Sequence, residues 1–199
     1  MAGMQAVSLD RFDEIVRSVP TKYGAIAAIG VTTGCRISEV LSLRRFDLLD
    51  RDGHLKDKIA FTRLKRHGKG PVHRVYSIPP FYQKYILRHL REEELRGFDR
   101  PDAWVFRGKN GRHLSRRTAW AFFRGLLGER HGTHWMRKTF AQEMFRTFMR
   151  HSPNDPMRAL ELTRKSLAHA RIDTTVRYLG IVDAEIEDTQ NEVFRRRNP

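Results

Sequence analysis

Three stretches of this chain hold the residue types that phosphate chemistry uses. In His134-Trp135-Met136-Arg137 a histidine and an arginine stand three residues apart, so on a helix they share one face within its first turn. An arginine near a helix N-terminus is opposed by the helix dipole, and as a packing choice alone it is poor. It becomes favourable once an anion sits there, accepting from backbone N–H groups and guanidinium together. Arg36 repeats the arrangement after Thr33-Gly34, at the start of a second predicted helix. Two guanidinium forks on one phosphate would offset the charge that builds up during phosphoryl transfer. The third stretch, SLAHARIDTTVRYLG, puts Tyr178 nine residues after His169. A phenol with a pKa of about 10 is a weak nucleophile at neutral pH, and flanking cations with a hydrogen-bonding histidine are the groups that help it attack phosphorus. Each residue alone also has a plain reading: an arginine solvated at the surface, a tyrosine packed on an apolar stripe. Tyr23, Tyr76, Tyr82 and Tyr85 fall on such stripes and read as packing residues.

Other signals are weaker. GKG at 68–70 and GKNG at 108–111 do not fit the phosphate loop G-x-x-x-x-G-K-[ST] and read as turns. His131 and His134 stand at i, i+3, but no third metal ligand lies near them in sequence.

The elements that must position these residues are mostly helices. Leu9, Phe12, Ile15 and Val16 recur at helical spacing behind Ser8, and further helical runs cover about 23–31, 37–43, 81–96, 115–127 and 133 onward. Asp155-Pro156 reads as cap and first position of another helix, and Asp173 as the cap of a short one that carries Tyr178. Between 47 and 79 the period shortens: DLLDRDGHL, KIAFTRL and HRVYSIP predict three short antiparallel strands, and WVF at 104–106 a further short one. The class is α+β, mostly helical with one small three-stranded sheet. Trp104, Trp120 and Trp135 are assigned to the core.

Composition narrows the partner. The 199 residues carry a formal net charge of +15 with 40% hydrophobic residues, too apolar for a disordered polycation. Lys and Arg are concentrated: 63–74 holds five with no acid, and 107–138 holds nine against Glu129 alone. Such clustering suits a polyanion. No apolar run approaches the roughly 20 residues of a membrane span, and the opening residues do not read as a secretory signal. Cys35 is the single cysteine, so an internal disulfide is excluded. A cytoplasmic protein is expected.

Taken in order, these segments resemble the catalytic domain of the tyrosine recombinases, the phage-integrase family. TGCRISEVLSL looks like the family's first arginine box, THWMRKTFA like its His-x-x-Arg box, and SLAHARIDTTVRYLGI like its closing segment. A basic hairpin between the first two is similar to the one that carries the family's lysine. The resemblance implies that Tyr178 attacks a DNA phosphate and leaves a 3′-phosphotyrosyl bond and a free 5′-hydroxyl. Arg36 and Arg137 would hold the non-bridging oxygens, His134 and His169 would hydrogen-bond the phosphate or assist proton transfer, and Lys65 would protonate the leaving oxygen. Lys69, in the turn, is the rival to Lys65, which ends a strand. No metal or cofactor is implied. The partner would be double-stranded DNA, with Arg63, Arg66, Lys69, Arg74, Lys109, Arg112, Arg116, Arg117, Arg124 and Lys138 tracking its backbone, and a tetramer assembling on two sites.

The resemblance sets the domain at 1–180 and leaves 181–199 as a helical tail exchanged between protomers, or packed on its own domain. It departs in three ways. Arg36 comes too early for the family's separate DNA-clamping domain to precede it in this sequence, so the chain is either a fragment or works without that clamp; Ala168 stands where the family has glycine; and SPNDPMRAL lengthens the interval from Arg137 to His169. Two other functions stay open: a DNA-binding regulator with the fold but no reaction, and a nicking enzyme that uses the same tyrosine.

Overall fold

The computed structural model describes residues 5–63, 72–109 and 111–179. Lys65, Arg66, Lys69 and the tail 181–199 lie outside the described residues, as does the side chain of Arg63. The chain divides into two compact units, one ending at Phe140 and one beginning at Ala141.

The first unit is built around α2 (Thr21–Thr33), whose residues from Gly24 to Val31 are all buried. A helix apolar on every side belongs in the centre of a bundle. Around it lie α1 (Leu9–Ser18), α3 (Ile37–Leu41), α4 (Arg45–Leu48), α5 (Pro80–Leu95) and α6 (Arg116–Leu127). Ser8 caps α1 by accepting from the Arg11 N–H, and α1 buries Phe12, Ile15 and Val16, the stripe its spacing announced. Ser115 caps α6 by accepting from the Thr118 N–H at 3.0 Å. Pro80 opens α5, where its missing N–H costs nothing. On α5 the buried Glu93 carboxylate accepts from Arg107 at 3.0 Å and Arg96 at 3.1 Å, which compensates its burial.

The sheet has two strands, β1 (Lys58–Arg63) and β2 (Val72–Ser77), antiparallel with Ile59 opposite Tyr76 and Phe61 opposite Arg74. The expected first strand is instead α4 followed by a single bridge from Leu49 to Leu55. Side-chain carboxylates account for this. Asp47 accepts from the Arg44 N–H at 2.7 Å and opens a helical turn, and Asp50 Oδ1 accepts from the Asp52 and His54 N–H groups at 2.9 Å. Backbone donors that a ladder needs are thereby taken locally. WVF likewise makes one bridge, Arg44 to Trp104, rather than a strand.

Trp135 is fully buried, as expected, whereas Trp120 is exposed. Trp104 is half-buried beneath the Arg44 guanidinium, 3.0 Å from its ring centre. Those two belong to the surface because each serves as a platform for an arginine, Trp120 for Arg124.

α7 (His134–His151) begins in the first unit and runs into the second, which continues with α8 (Pro156–Leu167) and α9 (Ile172–Leu179). Asp155 caps α8, accepting from the Arg158 N–H at 2.8 Å. Asp173 sits inside the first turn of α9 rather than capping it, and pairs with Arg171 at 2.8 Å.

Candidate active site

Gly34 decides how the first unit presents its arginines. It ends α2 in the left-handed region at φ 60°, and a Cβ there would overlap the Phe140 ring. Glycine alone meets both demands. The turn delivers Cys35 to a buried position and Arg36 to the N-cap of α3. The Glu39 carboxylate accepts from the Arg36 N–H at 2.7 Å and lies 3.7 Å from its Nη1. A second tie crosses from α7: the buried Arg137 Nη1 donates to the Gly34 carbonyl. Close approach of α7 to α2 depends on Gly30, where a Cβ would collide with Met136.

These constraints gather Arg36, His134 and Arg137 on one cavity of about 80 Å³, lined also by Cys35, Ile37, Ser38, Thr133 and Arg116. At about 30 Å³ per water molecule, the space suits a group as small as a phosphate. Arg36 Nη1 is buried there without a hydrogen-bond partner. Desolvation, then the charges of Arg137, Arg36 and Lys138, push the His134 imidazole below its ordinary pKa, although the residue as a whole is exposed. Burial pushes the Cys35 thiol up to about 11, so it stays protonated and unreactive.

The second unit holds His169 and Tyr178. Ala168 ends α8 in the left-handed region at φ 44° and turns the chain so that His169 is buried. The His169 N–H donates to the Arg164 carbonyl at 3.0 Å, and Arg164 Nη1 donates back to the His169 carbonyl at 2.6 Å. Glu161 in turn holds Arg164 through two bonds of 2.6 and 2.7 Å. The ring is fixed by Nδ1, 3.0 Å from Thr175 Oγ1. Tyr178 is half-buried, with its ring centre 5.2 Å from that of His169 at an interplanar angle of 62°.

The remaining cations behave differently from one another. Lys109, Arg112 and Arg117 are exposed. Arg74 is half-buried and donates to the Tyr76 hydroxyl at 3.2 Å. Arg124 is paired with Glu129 at 2.9 Å, and Lys138 is half-buried at the start of α7. Arg116, expected among the backbone-tracking set, is exposed and also lines the cavity. The sequence held the signal: Ser115 caps the helix, so Arg116 stands at its first position, the arrangement already noted for Arg36 and Arg137. Glu39 was also missed, although its place three residues after Arg36 marks half of a capping box. Among the described residues a three-donor metal cluster occurs only at Asp50, Asp52 and His54, all exposed, and Asp50 is already engaged by backbone N–H groups.

This arrangement of helices and hairpin is the fold of tyrosine-recombinase catalytic domains. A crystal structure of XerA recombinase matches with a TM-score of 0.65 at 19% identity, over all of this chain and 67% of that one. XerH site-specific recombinase, bound to palindromic difH substrate in a post-cleavage complex, matches with a TM-score of 0.62 at 19% identity, over 96% of this chain and 53% of that one. The phage integrase family matches residues 4–185, and the chain belongs to that family. Tyrosine recombinase XerC of Bacillus pumilus (strain SAFR-032) is 28% identical over 142 residues, 65% of this chain and 44% of the relative. The chain thus spans less than half the length of that curated relative. No helix among the described residues is long and apolar enough to cross a membrane.

Proposed function

We propose that this chain is a site-specific DNA strand transferase that cuts and rejoins double-stranded DNA through Tyr178. The Tyr178 oxygen bonds to the phosphorus of one phosphodiester while the bond from phosphorus to the 5′-oxygen breaks, giving a 3′-phosphotyrosyl ester and a 5′-hydroxyl. Arg36 and Arg137 bind the non-bridging oxygens and offset the charge of the transition state. His134, neutral at physiological pH, hydrogen-bonds the same phosphate. His169 receives or relays the phenolic proton, and Lys65, or Lys69 in its place, protonates the departing 5′-oxygen. The ester conserves the energy of the broken bond, so a second 5′-hydroxyl reverses the step without a nucleotide. Exchange between two duplexes cuts four strands and uses four tyrosines, hence a tetramer on two sites, acting in the cytoplasm at the nucleoid.

The observation that carries this reading is the gathering of Arg36, His134 and Arg137 on one phosphate-sized cavity. Membership of the phage integrase family supports it. A duplex nicked beside the cleavage point loses its short fragment and traps the covalent adduct. The wild-type chain is expected to form an SDS-stable adduct and Tyr178→Phe none; equal trapping by both would overturn the assignment. Specific binding without an adduct would favour a regulator, and plasmid relaxation without exchange a nicking enzyme.

A further inference from the structure

We infer that Arg116 is a third phosphate-contacting arginine of this site, not one of the cations that follow the DNA backbone, an inference that rests on the strand-transfer reading above. Arg116 lines the same cavity as Arg36, His134 and Arg137. Two arginines near it are held by carboxylates, Arg107 by Glu93 at 3.0 Å and Arg124 by Glu129 at 2.9 Å. Among the described residues no carboxylate or carbonyl takes a hydrogen bond or ion pair from the Arg116 guanidinium. Arg116 and Arg117 are both exposed, and of the two only Arg116 lines the cavity.

Charge explains what this arginine is for. Three guanidinium groups line the cavity, and the carboxylate beside them is Glu39, 3.7 Å from Arg36 and already accepting from a backbone N–H. Like charges brought together in a partly dry cavity repel one another, and an anion relieves the repulsion. Arg36 Nη1, buried in the same cavity, makes no hydrogen bond, the Glu39 carboxylate lying 3.7 Å away. A phosphodiester brings one negative charge in the ground state, and a second develops as the tyrosine oxygen adds to phosphorus. With Arg36 and Arg137 holding the non-bridging oxygens, Arg116 adds a third positive charge as the second negative charge develops. Its loss therefore lowers the cleavage rate more than DNA affinity.

Two measurements test this. In the first, inorganic phosphate is titrated into the wild-type chain while arginine Nε–H signals are followed by NMR. Arg36, Arg116 and Arg137 should shift with one shared affinity, while Arg17, exposed and paired with Asp13 on α1, stays still. Arg116 behaving like Arg17 overturns the inference, and so does an absence of response at all three. In the second, single-turnover cleavage of nicked DNA is followed at saturating protein. Arg116→Ala should lower the rate by about 100-fold or more, with half-saturating DNA changed by less than about 10-fold, and Arg116→Lys should recover part of the rate. A variant that loses affinity but keeps its saturated rate returns Arg116 to backbone tracking. The two readings fail separately: three responsive arginines with no adduct sinks strand transfer and keeps the anion site, whereas an adduct with a silent Arg116 does the reverse.

Discussion

His89 and His134 lie in different surroundings and shift the same way. His89 is buried, stacked on Phe106, with Nε2 2.8 Å from the Val105 carbonyl. A carbonyl can only accept, so the ring donates through Nε2–H. Burial pushes its pKa down despite that bond, and His134 is pushed down by desolvation and neighbouring cations. A histidine whose folded value lies below its unfolded value takes up a proton more readily once unfolded. Its stabilising effect is complete above the ordinary histidine range of about 6.5 and declines as pH falls from there toward the folded value. The melting temperature is expected to drop between pH 7.5 and 5. His89→Gln, which keeps an N–H for Val105, should flatten that drop, and an unchanged slope would show that His89 does not contribute. For His134 the same shift means a neutral imidazole at physiological pH, able to hydrogen-bond a phosphate without adding charge to a cavity that already holds three arginines.

Helix ends set the site, and two of them predict opposite outcomes for similar substitutions. Ala168 holds φ 44° with a side chain that this conformation disfavours, so Ala168→Gly should stabilise the chain by about 1 kcal/mol in chemical denaturation. Gly34 holds φ 60° against the Phe140 ring, so Gly34→Ala should destabilise by more than about 2 kcal/mol and loosen the Arg137 bond to its carbonyl. Equal effects at the two positions would mean that backbone strain, not the ring, governs both. Legibility in the sequence follows the same line. Caps at Ser8, Ser115 and Asp155 were readable because the cue is local: one oxygen, one N–H, two or three residues apart. The expected strand at 47–55 failed because Asp47 and Asp50 satisfy backbone donors themselves, which alternation does not register. Arg36, His134 and Arg137 were legible as a set through their motifs; Arg116 carried a local signal as the first residue of a capped helix, but its place in the cavity depends on where α6 packs against the rest of its unit. The two tryptophans misassigned to the core show that size and apolarity do not reveal an arginine lying on the ring face.

At the scale of the whole chain, a charge of +15 predicts, on the strand-transfer reading, a DNA affinity that depends steeply on salt. Arg112 and Arg117 are exposed and outside the cavity. Alanine at either should weaken binding to every duplex alike and reduce the log–log salt slope by about 1; loss of affinity for one sequence alone would assign that residue to base reading. On the proposed reading, charge attracts the polymer and the chemistry rests on the Tyr178 oxygen. The most direct measurement is therefore to map the covalent attachment. Trypsin cuts after Arg177 and Arg195 and releases residues 178–195 as one peptide with the candidate nucleophile at its start. After reaction with a nicked duplex carrying the sequence that the protein selects from a random pool, mass spectrometry should find this peptide joined to a nucleotide 3′-phosphate through Tyr178. Attachment at any other residue, or no attachment in a complex that binds its site, would contradict the account.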